Sequence, residues 1–368
     1  MKIMVQTGVK QPGRPGRVPE IELMKAVAII SMVLVHVFEM SSGIMLSSRN
    51  ENIAGYMIEL FGGVLSAGVF MFAMGWGAAY SKRTMPQTYL KRAFSLFILG
   101  IVINLFEEYL PAILVPDTYG PLPEILPSIL ATDIYFFSSL MSLYFALMKM
   151  LERKRGMTAA VSILTLAVCV YLNITIGVEA FTTGSKWLDT ILGLFIRVNE
   201  YSYFPFISWF VFPIMGYWLA RGYQKVSLRR ALIFAFITGI EALFFAEWFI
   251  RSNRMMDATI FNVVEIEEEF YYALHPLYAL AGYGIIAVEF LLVHFILKLS
   301  HGQLHPTLTT MSRNVSPIYV VQWLTIGLLS PVLANLTDIW PNILLALFVL
   351  FVSYFGGNLL KKTNLINV

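Results

Sequence analysis

Charge is scarce in this sequence. Asp, Glu, Lys and Arg make up 13% of its 368 residues, against about 25% in soluble domains. Hydrophobic residues make up 58%, and the mean hydropathy is +0.70. A chain of this size cannot hide that much apolar surface in water, so a soluble enzyme, a nucleic-acid partner and a disordered chain are all excluded. Cysteine is scarcer still. The single Cys169 rules out an intramolecular disulfide and any Cys-cluster metal site; no metal and no permanently bound cofactor is expected. Cys169 lies in an apolar run and reads as a small buried hydrophobe. Long polar loops that could hold a soluble domain are missing too, and no internal repeat or low-complexity tract is visible.

What the chain does have is apolar runs. A spanning helix needs about 20 mostly apolar residues. Ten runs qualify: 21–40, 54–80, 89–110, 127–150, 157–177, 203–221, 229–250, 270–298, 309–334 and 339–360. The ninth opens with the polar stretch Thr309–Asn314, and the apolar run 187–198 is too short to span. The expected fold is all-α, a polytopic membrane protein of about ten transmembrane helices. Residues 1–20 read as a flexible basic leader, 21–362 as one transmembrane domain, and 363–368 as a short cytoplasmic tail. No cleavable signal peptide follows the leader, so the first apolar helix serves as its own insertion signal.

Basic residues set the orientation. With the N-terminus inside, 20 of the 26 Lys and Arg residues fall in inner segments, and five (Arg49, Lys186, Arg197, Arg251 and Arg254) fall outside. Both termini are then cytoplasmic, in the cell membrane. Acids follow the reverse pattern: Glu107, Glu108, Asp117, Glu124, Glu179, Asp189, Glu200, Asp257, Glu265 and Glu267 to Glu269 gather at or beyond the outer boundary. Solvation and topology alone produce such a bias. The functional reading is a vestibule for a polar or cationic acceptor, a sugar or an amine.

The remaining basic residue, Lys25, sits inside the first helix with Glu22, His36 and Glu39. Ionisable groups in a membrane are costly and rarely face lipid. At about 100° per residue, the eleven steps from Lys25 to His36 end roughly 20° past three full turns. Glu22 and Glu39 fall within about 60° of Lys25, so all four share one stripe of the helix. The rise from Lys25 to His36 is roughly 16 Å. A cation near the inner surface and an imidazole far along the same face suit a ligand with a charged head and a long thin arm, the shape of an acyl-CoA. Taken separately, Lys25 could snorkel to lipid headgroups and His36 could pack as a hydrogen-bonded core residue.

Written out, the segment Arg17–Met40 is RVPEIELMKAVAIISMVLVHVFEM. It resembles the opening of the acyltransferase-3 family of integral membrane acyltransferases: an Arg, a short acidic stretch, a basic residue, an Ala/Ile/Val-rich run and a His. Residues 67–104, AGVFMFAMGWGAAYSKR…YLKRAFSLFILGIVIN, and residues 311–327, MSRNVSPIYVVQWLTIG, are similar to further helices of the same superfamily, which includes YeiB-like and heparan-α-glucosaminide N-acetyltransferase-like branches. Two positions depart from the pattern. Lys25 stands where the family usually has Arg, losing the rigid guanidinium fork, and Gln322 stands where a late His is usual. The heparan branch has Asn at the position of His36, so the acyltransferase-3 branch fits better.

The resemblance implies transfer of an acyl group, by default acetyl, from acetyl-CoA or another acyl-CoA to an outer acceptor, a carbohydrate or an amine. His36 is then the general base, since imidazole titrates near working pH. Asn104 and Gln322 are candidate donors to the oxyanion. Lys25, Arg83, Lys91, Arg92 and Arg313 are candidates for the donor phosphates, although positive-inside topology alone also explains basic loop residues. Glu39, Glu59 and His275 are candidates for acceptor binding or proton relay. Cys169 lacks a nearby His in sequence, which favours direct transfer over a covalent intermediate. Glycines at 55, 62, 63, 68, 75 and 77 give the second helix a small face, for close packing or for a thin ligand beside the backbone. A homodimer is compatible with such faces. A proton-coupled transporter or flippase is the alternative class, resting on Glu59, Asp133, Glu241 and Glu289 inside apolar runs; an inverted repeat would favour it.

Overall fold

The computed structural model describes residues 18–41, 62, 66–81, 85–152, 154, 156–176, 182–197, 202–226, 228–252, 274, 276–300 and 304–363. These residues are mainly helical and contain no strand. Twelve of their helices form the bundle and frame its cavities: α1 (Pro19–Glu39), α2 (Ala67–Tyr80), α3 (Pro86–Asn104), α4 (Ile134–Leu151), α5 (Met157–Ile176), α6 (Lys186–Gly193), α7 (Val211–Tyr223), α8 (Leu228–Ser252), α9 (Pro276–Leu299), α10 (Pro306–Arg313), α11 (Val315–Leu333) and α12 (Ile339–Lys362). Proline opens α1, α3, α9 and α10, where its fixed φ suits the first turn and its missing N–H is not needed. Lysines close α9 and α12, where they complement the carbonyl end of the helix.

Among the described residues, seven segments are long and apolar enough to cross a membrane: Pro19–Glu39, Pro86–Leu114, Leu126–Leu151, Met157–Ile176, Pro276–Leu299, Val315–Leu333 and Ile339–Lys362. The shorter apolar helices Ala67–Tyr80 and Ile233–Ala246 fall in two more of the predicted runs, and α7 falls in the remaining one. Several boundaries differ from the sequence reading, each for a local reason. The run 309–334 is two helices. Asn314 leaves the helical region at φ −112°, ψ 33° and separates α10 from α11, so the polar stretch belongs to a helix of its own. The run 203–221 is a one-turn helix, Phe206–Trp209, followed by α7. The run 127–150 begins as a 3₁₀ turn, Leu126–Leu130, and α4 starts only after Asp133. The short apolar run at 187–198 contains α6.

Burial identifies the middle of the bundle. Of its best apolar window, α1 buries 67%, whereas α5 buries 17% and α12 buries 22%. The helix carrying the ionisable stripe is thus packed on all sides, against α2, α9, α10, α11 and α12, while α5 and α12 expose apolar surface suited to lipid. The glycines of α2 divide by role. A Cβ on Gly75 would lie 1.7 Å from the Pro213 carbonyl oxygen of α7, and one on Gly216 of α7 would lie 2.0 Å from the Phe72 carbonyl oxygen. These two glycines let the backbones of α2 and α7 touch. A Cβ on Gly77 would meet nothing within 4 Å among the described residues.

One irregularity positions the site. After Asn104, α3 widens into a π turn, Leu105–Tyr109, before a last helical turn to Leu114. Such turns are rare and recur at functional sites. This one carries Glu107 and Glu108 and packs against α11, where a Cβ on Gly327 would lie 2.4 Å from the Phe106 carbonyl oxygen.

Candidate active site

Two cavities lie along α1. The one at the Lys25 end has a volume of about 360 Å³. Its charged lining residues are Lys25 of α1, Arg92 of α3, Arg313 of α10 and Lys361 of α12, with no carboxylate among the described lining residues. The one at the His36 end has a volume of about 260 Å³. It is lined by His36 and Glu39 of α1, Glu107 and Glu108 of the π turn, and Asp133 before α4, with no Lys or Arg among the described lining residues. Met32, Ile134 and Tyr319 line both cavities, so the two chambers share a wall.

Lys25 does not simply reach for solvent. Its Nζ lies 3.4 Å from Glu22 Oε1, and Glu22 Oε2 accepts a hydrogen bond of 2.6 Å from the Ser312 hydroxyl of α10. A carboxylate so placed orients the ammonium and joins α1 to α10. The Tyr135 hydroxyl of α4 donates to the Ser316 carbonyl of α11 at 3.1 Å, fixing the opposite wall. Gly77 lines the same cavity, so the space left by its missing side chain belongs to the chamber.

His36 is held from three sides, all by α11. Its Nδ1 lies 2.7 Å from Gln322 Nε2. Its ring stacks on Trp323 with centroids 4.6 Å apart, and Tyr319 meets it edge-on at 6.1 Å. Tyr319 also meets Tyr135 edge-on at 5.3 Å, so a row of aromatic rings runs through the shared wall. Residues 319, 322 and 323 are spaced to fall on one face of a helix, which is why a single helix can grip the imidazole. With Nδ1 engaged, Nε2 is the ring nitrogen left to face a reactant.

At the acidic end, Asp133 caps α4. Its Oδ1 accepts from the N–H groups of Tyr135 at 2.7 Å and Phe136 at 3.1 Å. Its Oδ2 and Glu107 Oε2 are buried without a hydrogen-bond partner among the described residues. The charges of Glu108, Asp133 and Glu39 all bear on Glu107. The Tyr203 hydroxyl donates to Glu108 Oε1 at 3.1 Å, and the Tyr119 hydroxyl donates to the Met40 carbonyl at 3.3 Å.

The structure sorts the sequence candidates. His36 and Gln322 are in contact. Lys25, Arg92 and Arg313 line the basic cavity, and Glu39 lines the acidic one. Lys91 is exposed and lines neither. Asn104 is buried elsewhere: its Nδ2 donates to the carbonyls of Ser128, Ile129 and Ala131 at 3.0–3.1 Å. That amide clamps the 3₁₀ turn before α4 and lines neither cavity. Arg83, Glu59 and His275 lie outside the described residues. Of the other histidines, His294 Nδ1 lies 3.0 Å from Glu20 Oε1, and the His305 ring accepts from the Thr307 N–H at the start of α10. Cys169 is buried in the apolar core, near Tyr144 of α4. A larger cavity of about 900 Å³ opens between α2, α5, α7, α8 and α9, is mostly apolar and holds none of the candidates.

Lys361, Tyr319 and Trp323 join the site without being among the residues the sequence marks for it. The spacing of Tyr319, Gln322 and Trp323 was the available signal. Asp133, Glu107 and Glu108 were visible as acids in or beside apolar runs but were not placed around His36.

The Acyltransferase domain of the acyltransferase-3 type matches residues 18–360, from the first turn of α1 almost to the end of α12. The chain belongs to the acyltransferase-3 family. No curated protein shows a significant match to it. An acyltransferase-3 protein of this architecture is a membrane acyltransferase. The acidic cavity lies within the matched span, and so does the basic one apart from Lys361.

Proposed function

We propose that this acyltransferase-3 protein moves an acyl group, by default acetyl, from a cytosolic acyl-CoA to a carbohydrate or amine acceptor on the extracytoplasmic side. The carrying observation is the pair of oppositely charged cavities that share the wall Met32–Ile134–Tyr319, with His36 at the acidic side of that wall. Lys25, Arg92, Arg313 and Lys361 bind the donor's phosphates, and Gly77 leaves room for the arm. This puts the Lys25 end and both termini on the cytoplasmic side, in agreement with the distribution of Lys and Arg.

Transfer is direct. The acceptor's nucleophilic atom attacks the thioester carbonyl carbon, His36 Nε2 takes its proton, the C–S bond breaks, and the proton passes to the departing thiolate. Gln322 sets the tautomer. With its Nε2 toward the ring, it donates to Nδ1. Turned over, its Oε1 accepts from Nδ1–H and leaves the His36 Nε2 lone pair for the acceptor's proton. The base requires the second arrangement, and Oε1 has no competing partner among the described residues. Cys169 lines neither cavity, which supports transfer without a covalent intermediate.

The test is to incubate purified protein with acetyl-CoA and follow free thiol release against a panel of glycans and amines. Acceptor-dependent release that His36→Ala abolishes, with folding and expression unchanged, is the expected result. Full turnover in His36→Ala would overturn the mechanism. Movement of solute across vesicles without acyl-CoA, surviving the same substitution, would establish the transporter alternative.

A further inference from the structure

We infer that the acceptor presents a primary ammonium group to the acidic cavity and that the product is an amide. This rests on the proposed transfer reaction and narrows its acceptor. Four carboxylates, Glu39, Glu107, Glu108 and Asp133, line one chamber of about 260 Å³, and no Lys or Arg joins them among the described residues. A solvated acidic surface would not need explaining. This one is different because Asp133 is only 2% exposed and its Oδ2 has no partner among the described residues. Glu107 Oε2 is likewise buried and unpartnered among them. Buried carboxylate oxygens normally have a donor, because leaving one without is expensive.

A neutral hydroxyl could donate one hydrogen bond to such an oxygen but would leave the clustered charge unbalanced. A carboxylated or phosphorylated acceptor would add to the repulsion. An ammonium group supplies three donors and a positive charge in one small head. Trp323 and Tyr319 line the same cavity, and aromatic rings attract cations. His36 borders the chamber, so a nitrogen held there stands between the carboxylates and the shared wall.

The steps balance. The ammonium gives one proton to a carboxylate and exposes its lone pair. The nitrogen attacks the thioester carbonyl, forming the C–N bond. His36 takes a second proton from that nitrogen. The C–S bond breaks, and the thiolate receives the proton from His36. One amide, one CoA thiol and one released proton result, with no oxidant or metal involved.

The experiment uses the full-length purified protein with acetyl-CoA and matched acceptor pairs: glucosamine against glucose, and galactosamine against galactose. Thiol release is followed together with the product's resistance to mild alkali, which cleaves esters and spares amides. The expected result is a preference of about tenfold or more in kcat/KM for each amino sugar, with an alkali-resistant product. Glu107→Gln and Glu39→Gln should each raise KM for the amino sugar by several-fold while narrowing the preference; Glu39 is exposed, so that variant guards against a folding defect at the buried site. Equal or better use of the neutral sugars, with an alkali-labile product, would overturn the ammonium inference and leave the transfer reaction standing. Absence of thiol release with any of the four acceptors would overturn both.

Discussion

Two glycines on one helix, two residues apart, should respond to substitution in opposite ways. Replacing Gly by Ala inside a helix ordinarily stabilises by roughly 0.8–1 kcal/mol. At Gly77 no described residue opposes that gain, because an added Cβ meets none of their atoms within 4 Å. At Gly75 the same Cβ would lie 1.7 Å from the Pro213 carbonyl oxygen, 2.6 Å from its carbon and 2.8 Å from its Cα. Those are backbone atoms, so α2 and α7 would have to separate by on the order of 1 Å along their closest contact. Overpacking of this kind costs about 1–3 kcal/mol or more, enough to cancel the propensity gain and leave a net loss. Thermal unfolding in detergent, followed by loss of monodispersity, should therefore show Gly75→Ala below the parent and Gly77→Ala at or above it. Function should split the other way. Gly77→Trp sends a side chain with ~200 Å² of surface into the basic cavity of about 360 Å³. KM for acetyl-CoA should rise by about tenfold or more, with KM for the acceptor little changed. Gly77→Trp protein that folds and retains the parent's KM for acetyl-CoA would refute the assignment of this cavity to the donor. Equal stability of the Gly75→Ala and Gly77→Ala proteins would refute the packing reasoning.

The same geometry predicts further outcomes. Gln322→Leu removes the partner of His36 Nδ1; kcat should fall by about 10²-fold with a displaced pH–rate profile, and Gln322→His, which restores a ring-to-ring hydrogen bond, should recover part of it. Asp133→Asn keeps an acceptor for the α4 cap and should remain close to the parent in thermal stability, whereas Asp133→Ala should lose about 1 kcal/mol; both should weaken binding of a cationic acceptor, read as KM. Glu152, just beyond α4, loses hydration, but Lys149 at 2.9 Å, the Tyr217 hydroxyl at 3.2 Å and Arg221 at 3.1 Å outweigh that and hold its carboxyl below its ordinary value of 4.5. A depressed folded-state value contributes stability above the unfolded value, lost as pH falls through the folded one. Melting temperature should thus drop as pH is lowered from 4.5, and the drop should be smaller in Glu152→Gln. These groups are partly exposed, so the effect should shrink in high salt.

Much of the architecture was legible because membrane helices announce themselves by length and apolarity. The runs at 21–40, 157–177 and 339–360 correspond to α1, α5 and α12 within a few residues. Boundaries set by backbone geometry were not legible. Asn314 breaks the ninth run by its conformation, and hydropathy does not register a one-residue break. The π turn at Leu105–Tyr109 is equally silent, since its residues suit an ordinary helix. The stripe on α1 could be drawn from residue spacing alone, because one helix supplies its own ruler. The rest of the site could not, because Lys361, Tyr319 and Asp133 approach it from three other places far apart in sequence. Asn104 shows the converse: a polar residue in an apolar run advertises a need for partners, and here the partners are carbonyls of an adjacent turn.

The wall of Met32, Ile134 and Tyr319 has a consequence for the electrical state of the membrane. A catalyst that handed a small acyl group across a bilayer through an open channel would also conduct protons and cations, and the acidic chamber would draw them in. The three side chains that line both chambers are uncharged, the kind of lining that disfavours ions. In the proposed reaction, contact between donor and acceptor limited to the reacting bond would let the acyl group cross while the ion gradient is preserved.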